Sequence, residues 1–185
     1  MLPEVQLPDH LQASAEVVAR AKGITTVIFD VDGVLTDGKL YYSANGIESK
    51  AFHVQDGAAL KLLQSQGLQV AIITGRKSPM VRHRADELGI KLLQQNAGNK
   101  LEALEALLAR APSLAGVGLE QCACVGDDLA DIVLFEALGL GISVPNGHPS
   151  ARRAAHWVTG RAGGSGVAAE VAELLLRSQD RWSYP

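Results

Sequence analysis

Short apolar, β-branched runs alternate along this chain with longer stretches in which apolar positions recur every three or four residues. The first pattern predicts buried strands, the second helices that cover them. The run that begins at Ile24 ends abruptly in Asp30, Val31, Asp32 and Gly33, and further strands are expected over 68–73, 90–93, 122–125, 141–144 and 155–159. Helices are expected over 9–22, with Asp9 as N-cap and Gly23 as stop, from Asp56-Gly57 to Gln66, and over 79–88, 99–110, 129–138 and 167–178. Residues 111–119 and the glycine-rich 160–166 read as loops. Strands alternating with helices predict an α/β fold: a doubly wound, Rossmann-like parallel sheet in three layers with right-handed crossovers. With no internal repeat and no low-complexity linker, 1–185 reads as a single domain.

Residues 39–54 break the alternation. Leu40-Tyr41-Tyr42 and the β-prone 47–54 flank Ser43-Ala44-Asn45-Gly46, and Asn-Gly between such runs predicts a projecting β-hairpin. The hairpin carries Tyr41, Tyr42 and Phe52, half of the 3 Tyr and 3 Phe in the chain, so it is expected to present apolar surface to a partner.

Composition narrows the partners. A formal net charge of -3 and a pI near 5.9 leave no basic footprint for nucleic acid, although a small phosphorylated molecule remains compatible. No apolar run approaches the roughly 20 residues that span a bilayer, and the first 23 residues lack the charged start and apolar core of a secretory leader. Cys122 and Cys124, two apart in an apolar segment, read as buried thiols in a reducing compartment. The expected setting is cytoplasmic, away from membranes.

Candidate chemistry lies where strands end. Side chains alternate along a strand, so Asp30 and Asp32 are expected on one side of a carboxyl end, where open α/β sheets bind ligands. Two carboxylates there repel unless a cation or a shared proton intervenes. Thr74 follows the second buried strand, and Asp127, Asp128 and Asp131 follow the run at 122–125. Parallel strands gather these ends at one edge, and Lys100, at the start of a helix, adds a cation. Oxygen ligands and phosphate oxygens in such a setting suit Mg²⁺. Each motif alone is commonplace: an Asp-x-Asp-Gly turn is usually solvated, Thr-Gly is usually a cap, and an EF-hand starting at Asp30 fails because Tyr41 stands where its Glu belongs.

Together, Asp30-Val31-Asp32-Gly33-Val34-Leu35-Thr36, Thr74-Gly75, Lys100 and Gly126-Asp127-Asp128-x-x-Asp131 resemble the four signature motifs of the haloacid dehalogenase-like phosphatases. Lys50-Ala51-Phe52 with Asp56-Gly57, the run ending in Thr74-Gly75-Arg76, and Gly163-Gly164 with Gly166 are similar more narrowly to the 3-deoxy-D-manno-octulosonate 8-phosphate phosphatase family. The resemblance implies that Asp30 is a nucleophile forming an aspartyl-phosphate and that Asp32 is the acid and then the base. It implies Mg²⁺ held by Asp30, the backbone carbonyl of Asp32 and Asp127, supported by Asp128 and Asp131, with Thr74 and Lys100 on the phosphate. His53, Asp56, Gly57, Lys61, Gly75, Arg76 and Arg84 fall at positions that line the site or contact substrate in the family, and the guanidinium forks of Arg76 and Arg84 suit a sugar carboxylate.

No cap domain interrupts the chain, and the resemblance implies that a homotetramer closes the site with hairpins and C-terminal segments (167–185 here). Two departures stand out: His53 replaces a common Asn, and Ser165 and Ala169 stand where the family carries arginines. The implied substrate is an eight-carbon acidic sugar phosphate of lipopolysaccharide precursor synthesis. The competing readings are a nine-carbon keto-acid 9-phosphate, a phospho-receiver domain and a non-catalytic tetramerisation module.

Overall fold

The computed structural model describes residues 7–183; the first six residues of the N-terminal stretch and the last two of the C-terminal segment lie outside the described residues. In chain order the elements are α1 (Ala15–Lys22), β1 (Thr26–Phe29), β2 (Tyr41–Tyr42), β3 (Glu48–Ser49), α2 (Val54–Ser65), β4 (Gln69–Ile73) and α3 (Pro79–Glu87). There follow β5 (Leu92–Gln94), α4 (Lys100–Arg110), β6 (Cys122–Gly126), α5 (Ile132–Ala137), β7 (Leu140–Ser143), α6 (Pro149–Ala154), β8 (Trp157–Val158) and α7 (Val167–Ser178). Six strands form one parallel sheet in the order β5-β4-β1-β6-β7-β8. β2 and β3 form a separate antiparallel pair.

The period of two decides the layering. Val27, Phe29, Val70, Ile72, Ala123 and Val125 face one apolar core with α1, α2, α3 and α7, while Ile28, Ala71, Ile73, Cys122 and Cys124 face a second with α4 and α5. Both sides of the central strands are therefore dry, which explains their unbroken apolar runs. Cys122 and Cys124 share a face as free, buried thiols, and burial pushes the Cys122 thiol up to about 11.

Several expectations need correction. The leading helix is split: Asp9 opens only a short 3-10 turn, Gln12 turns left-handed (φ 43°), and the helix proper is capped by Ser14. The hairpin is shorter than 39–54, because Val54 already belongs to α2 and His53 caps that helix through Nδ1, which accepts from Gln55 N. Phe52 packs half-buried against the core beneath Arg84, so the exposed face of the hairpin consists of Leu40, Tyr41, Tyr42 and Ile47. Helix α6 within 145–156 was not foreseen: its six residues give too short a window for periodicity.

The largest correction concerns the C-terminal segment. α7 is expected to reach a neighbour, but Val167, Val171, Leu174, Leu175 and Leu176 are buried against α1 and α2. The glycine-rich loop before it turns inward: a Cβ on Gly163 would lie 1.9 Å from Gly33 O, and Gly164 N donates to Val34 O. This loop supports the segment after β1 and is not a hinge.

Candidate active site

β1 makes its last sheet bond from Asp30 N to Val125 O at 3.0 Å. The chain then turns sharply, with Val34, Leu35 and Thr36 all donating their amides to Val31 O. At Gly33 (φ 88°) an added Cβ would lie 2.0 Å from Asp127 Oδ2, so only glycine lets this turn close over Asp127. Asn146, which the sequence did not reveal, ties the turn down: its Nδ2 donates to Gly33 O and its Oδ1 accepts from Gly163 N.

Beneath the turn lies a charged cluster. Lys100, the first residue of α4 and only 4% exposed, places Nζ 3.1 Å from Asp30 Oδ2 and 2.5 Å from Asp131 Oδ1. Asp131 is fully buried, and its Oδ2 accepts from the amides of Asp127 and Asp128. Both of its oxygens are thus engaged in holding Lys100 and the loop after β6. Carboxylate oxygens of Asp30, Asp127 and Asp131 lie within 4.8 Å of one another, and Asp30 Oδ1 is buried with no hydrogen-bond partner.

The electrostatics are those of a site short of positive charge. Burial pushes Asp30 up to about 6, opposed by Lys100 and reinforced by Asp131. Burial, then Asp30, Asp131 and Asp128, push Asp127 up to about 7. Burial works against the Lys100 ammonium, but Asp30 and Asp131 outweigh it and hold it charged. A lone buried oxygen on Asp30, facing a second carboxylate whose charge is disfavoured, is the donor set a hard divalent cation requires, so the residues fit Mg²⁺.

Asp32 behaves differently from the expectation of shared strand alternation. It lies in the turn beyond β1, and its partners are Lys50 at Oδ1 and, 4.0 Å from Oδ2, Arg76 Nε. Glu48 Oε1 accepts from Arg76 Nη2 at 2.5 Å. Glu48 and Lys50 were not among the predicted site residues. Their spacing of two around Ser49, at the end of the expected hairpin, was the available signal.

The remaining predicted residues divide. Thr74 is buried just past β4, where its amide bonds Gln94 O, with Gly75 and Arg76 following it. Asp128 is exposed and caps the turn that starts at Leu129. Asp56 does not open toward the cluster: its Oδ1 accepts from Ala168 N at 2.8 Å and Ala169 N at 3.4 Å, capping α7. A Cβ on Gly57 would lie 2.4 Å from Arg84 Nη2, so that glycine makes room for Arg84, which also donates to His53 O and Glu87. Lys61 lines a separate groove of about 580 Å³ between α2 and α7, with His10, Arg161, Glu173 and Trp182. Asp56 and His53 thus cap helices, Gly57 packs against Arg84, and Lys61 lines the α2–α7 groove.

Comparison with known proteins agrees with this geometry. The model of the haloacid dehalogenase-like hydrolases matches residues 93–171. The chain is 44% identical over 168 residues to the 3-deoxy-D-manno-octulosonate 8-phosphate phosphatase KdsC of Escherichia coli, covering 91% of this chain and 87% of that protein. The chain belongs to the 3-deoxy-D-manno-octulosonate 8-phosphate phosphatase family. A crystal structure of the family member from Yersinia pestis superposes with a TM-score of 0.86 at 41% identity, covering 90% of this chain and 88% of that one. The member from Moraxella catarrhalis, at 44% identity and TM-score 0.84 over 89% and 92% of the chains, was solved with a magnesium ion, a phosphate ion and a KDO molecule. The six-stranded parallel sheet, its flanking helices and the small hairpin are the fold of this family.

Proposed function

We propose that this protein is a Mg²⁺-dependent phosphatase that hydrolyses 3-deoxy-D-manno-octulosonate 8-phosphate to the free sugar acid and phosphate, in lipopolysaccharide precursor synthesis. The observation that carries the reading is the buried Asp30 carboxylate, set between Lys100 and Asp127 with one oxygen unpartnered. Family membership supports the same reaction.

Asp30 attacks phosphorus, a P–O bond forms to its carboxylate, and the bond to the sugar oxygen breaks. Asp32 gives its proton to that leaving oxygen, then takes a proton from the water that attacks the aspartyl-phosphate and releases phosphate. Lys100, held charged by Asp131, binds the phosphate oxygens together with Thr74. Asp30, Asp127 and the backbone carbonyl of Asp32 would hold Mg²⁺, which supplies the positive charge that lets a carboxylate approach a phosphate dianion. Arg76, with 41% of its side chain exposed, and Arg84 would have to leave Glu48 and Glu87 to pair with the sugar carboxylate.

The open edge and the exposed Leu40, Tyr41, Tyr42 and Ile47 support a homotetramer in which hairpins cover neighbouring sites. Among the described residues no helix is long and apolar enough to cross a membrane. The two free thiols fit a reducing cytoplasm.

Phosphate release across a panel tests the assignment. The eight-carbon ester should be turned over fastest, with the nine-carbon 9-phosphate and neutral hexose phosphates slower, and Asp30→Asn should abolish turnover of all of them. Preference for the nine-carbon ester would reassign the substrate. Turnover by Asp30→Asn near the parent rate would remove the nucleophile, and no release from any ester would favour a receiver or a tetramerisation module.

A further inference from the structure

We propose that Lys50, delivered by the hairpin, is the positioning residue for Asp32, and that it leaves Oδ2 as the oxygen that exchanges the proton. The proposal rests on the reading of Asp32 as acid and base. Lys50 Nζ is hydrogen-bonded to Asp32 Oδ1 and lies 3.9 Å from Glu48 Oε1, and its side chain is only 2% exposed. A buried ammonium is tolerated only when paired, and here both of its ion-pair partners are acidic. The two oxygens of Asp32 are therefore unequal. Oδ1 is bound to the ammonium, whereas Arg76 Nε lies 4.0 Å from Oδ2, beyond hydrogen-bond range.

Asp32 sits in a turn beyond β1 with 20% of its side chain exposed. Lys50 holds Oδ1 from the hairpin side, outside the six-stranded sheet. Glu48 in turn occupies Arg76, so the cluster alternates in sign from Asp32 to Lys50 to Glu48 to Arg76. In the first step the proton passes from Oδ2 to the leaving sugar oxygen while the electrons of the P–O bond go to that oxygen. In the second, Oδ2 takes a proton from the attacking water.

Leaving-group dependence separates this role from simple structural support. A sugar alkoxide needs a proton to depart; a nitrophenolate does not. In single-turnover reactions with Mg²⁺ present, Lys50→Met should cleave the sugar 8-phosphate about 10²-fold more slowly, the loss expected when a catalytic group is misplaced by about an ångström. Cleavage of 4-nitrophenyl phosphate should stay within a factor of about 3, because proton donation adds little there. Lys50→Gln, which keeps a hydrogen-bond donor, should recover part of the sugar-phosphate rate and keeps the test available if the Met variant does not fold. Equal losses on both esters would overturn the role of Lys50. Asp32→Asn is the reference: if it cleaves the two esters in the parent ratio, the acid assignment itself falls. If it shifts the ratio and neither Lys50 variant does, only the positioning role falls.

Discussion

Removing Mg²⁺ should make stability depend on pH in a direction fixed by Asp30 and Asp127. Their values rise from the ordinary 3.8 to about 6 and about 7, both first through burial. Taken singly, these correspond to about 3 and about 4 kcal/mol favouring the protonated, folded form. Part of the Asp127 rise is the charge of Asp30 itself, so the two figures do not simply add, and Asp127 is partly open to solvent, which screens its share. About 3 kcal/mol is the reasonable figure for the pair.

A carboxyl whose value is raised by folding binds more protons in the folded state. Its stabilisation is complete below about pH 4 and is lost as pH rises through about 6 to 7. In chelator, the melting temperature should therefore fall by about 5–10 °C between pH 5 and 8, since a kcal/mol is worth about 2–4 °C in a chain of this size. Mg²⁺ should restore most of that loss at pH 8 and little of it at pH 5. Asp127→Asn removes one of the opposed charges: in chelator at pH 8 it should melt above the parent, and its gain from Mg²⁺ should nearly vanish. His156, held below its usual value by burial and Arg20, titrates with the opposite sign, but equally in both proteins. Differential scanning calorimetry of the two, with and without Mg²⁺, reads the effect. A chelated parent whose melting temperature is flat across this range, or an Asp127→Asn variant less stable than the parent at pH 8 without metal, would refute the reasoning.

Two other outcomes are expected. Asp56→Ala removes the cap of α7 and should cost about 1–2 kcal/mol in urea unfolding while leaving KM for the sugar phosphate within about twofold; a large rise in KM at unchanged stability would return Asp56 to the substrate site. Replacing Tyr42 and Ile47 together by Glu should shrink the particle seen by light scattering, and a parent that is monomeric and fully active would end the tetramer reading.

What the sequence determined was whatever one strand or helix carries in its own pattern. The period of two in β1, β4 and β6 set the sheet and its two dry faces, and α7 runs over 167–178 as its apolar spacing predicts. That Asp30, Thr74, Lys100 and Asp127 gather at one edge was legible because each falls at the end of a recognisable element, and parallel strands bring such ends together.

The tertiary structure decided what each polar side chain bonds. Asp56 opens a helix in the sequence, yet it serves the amides of α7, more than a hundred residues away. The glycines at 163 and 164 look like a flexible joint, but their missing side chains admit the turn that carries Gly33. Lys50 is buried against Asp32, a contact its place in the hairpin does not announce, while Asn146 carries no local signal for the turns it joins. Local pattern fixes which face of an element is apolar, because burial is averaged over many positions. A single hydrogen bond depends on where two distant segments meet, and only the packed chain settles that.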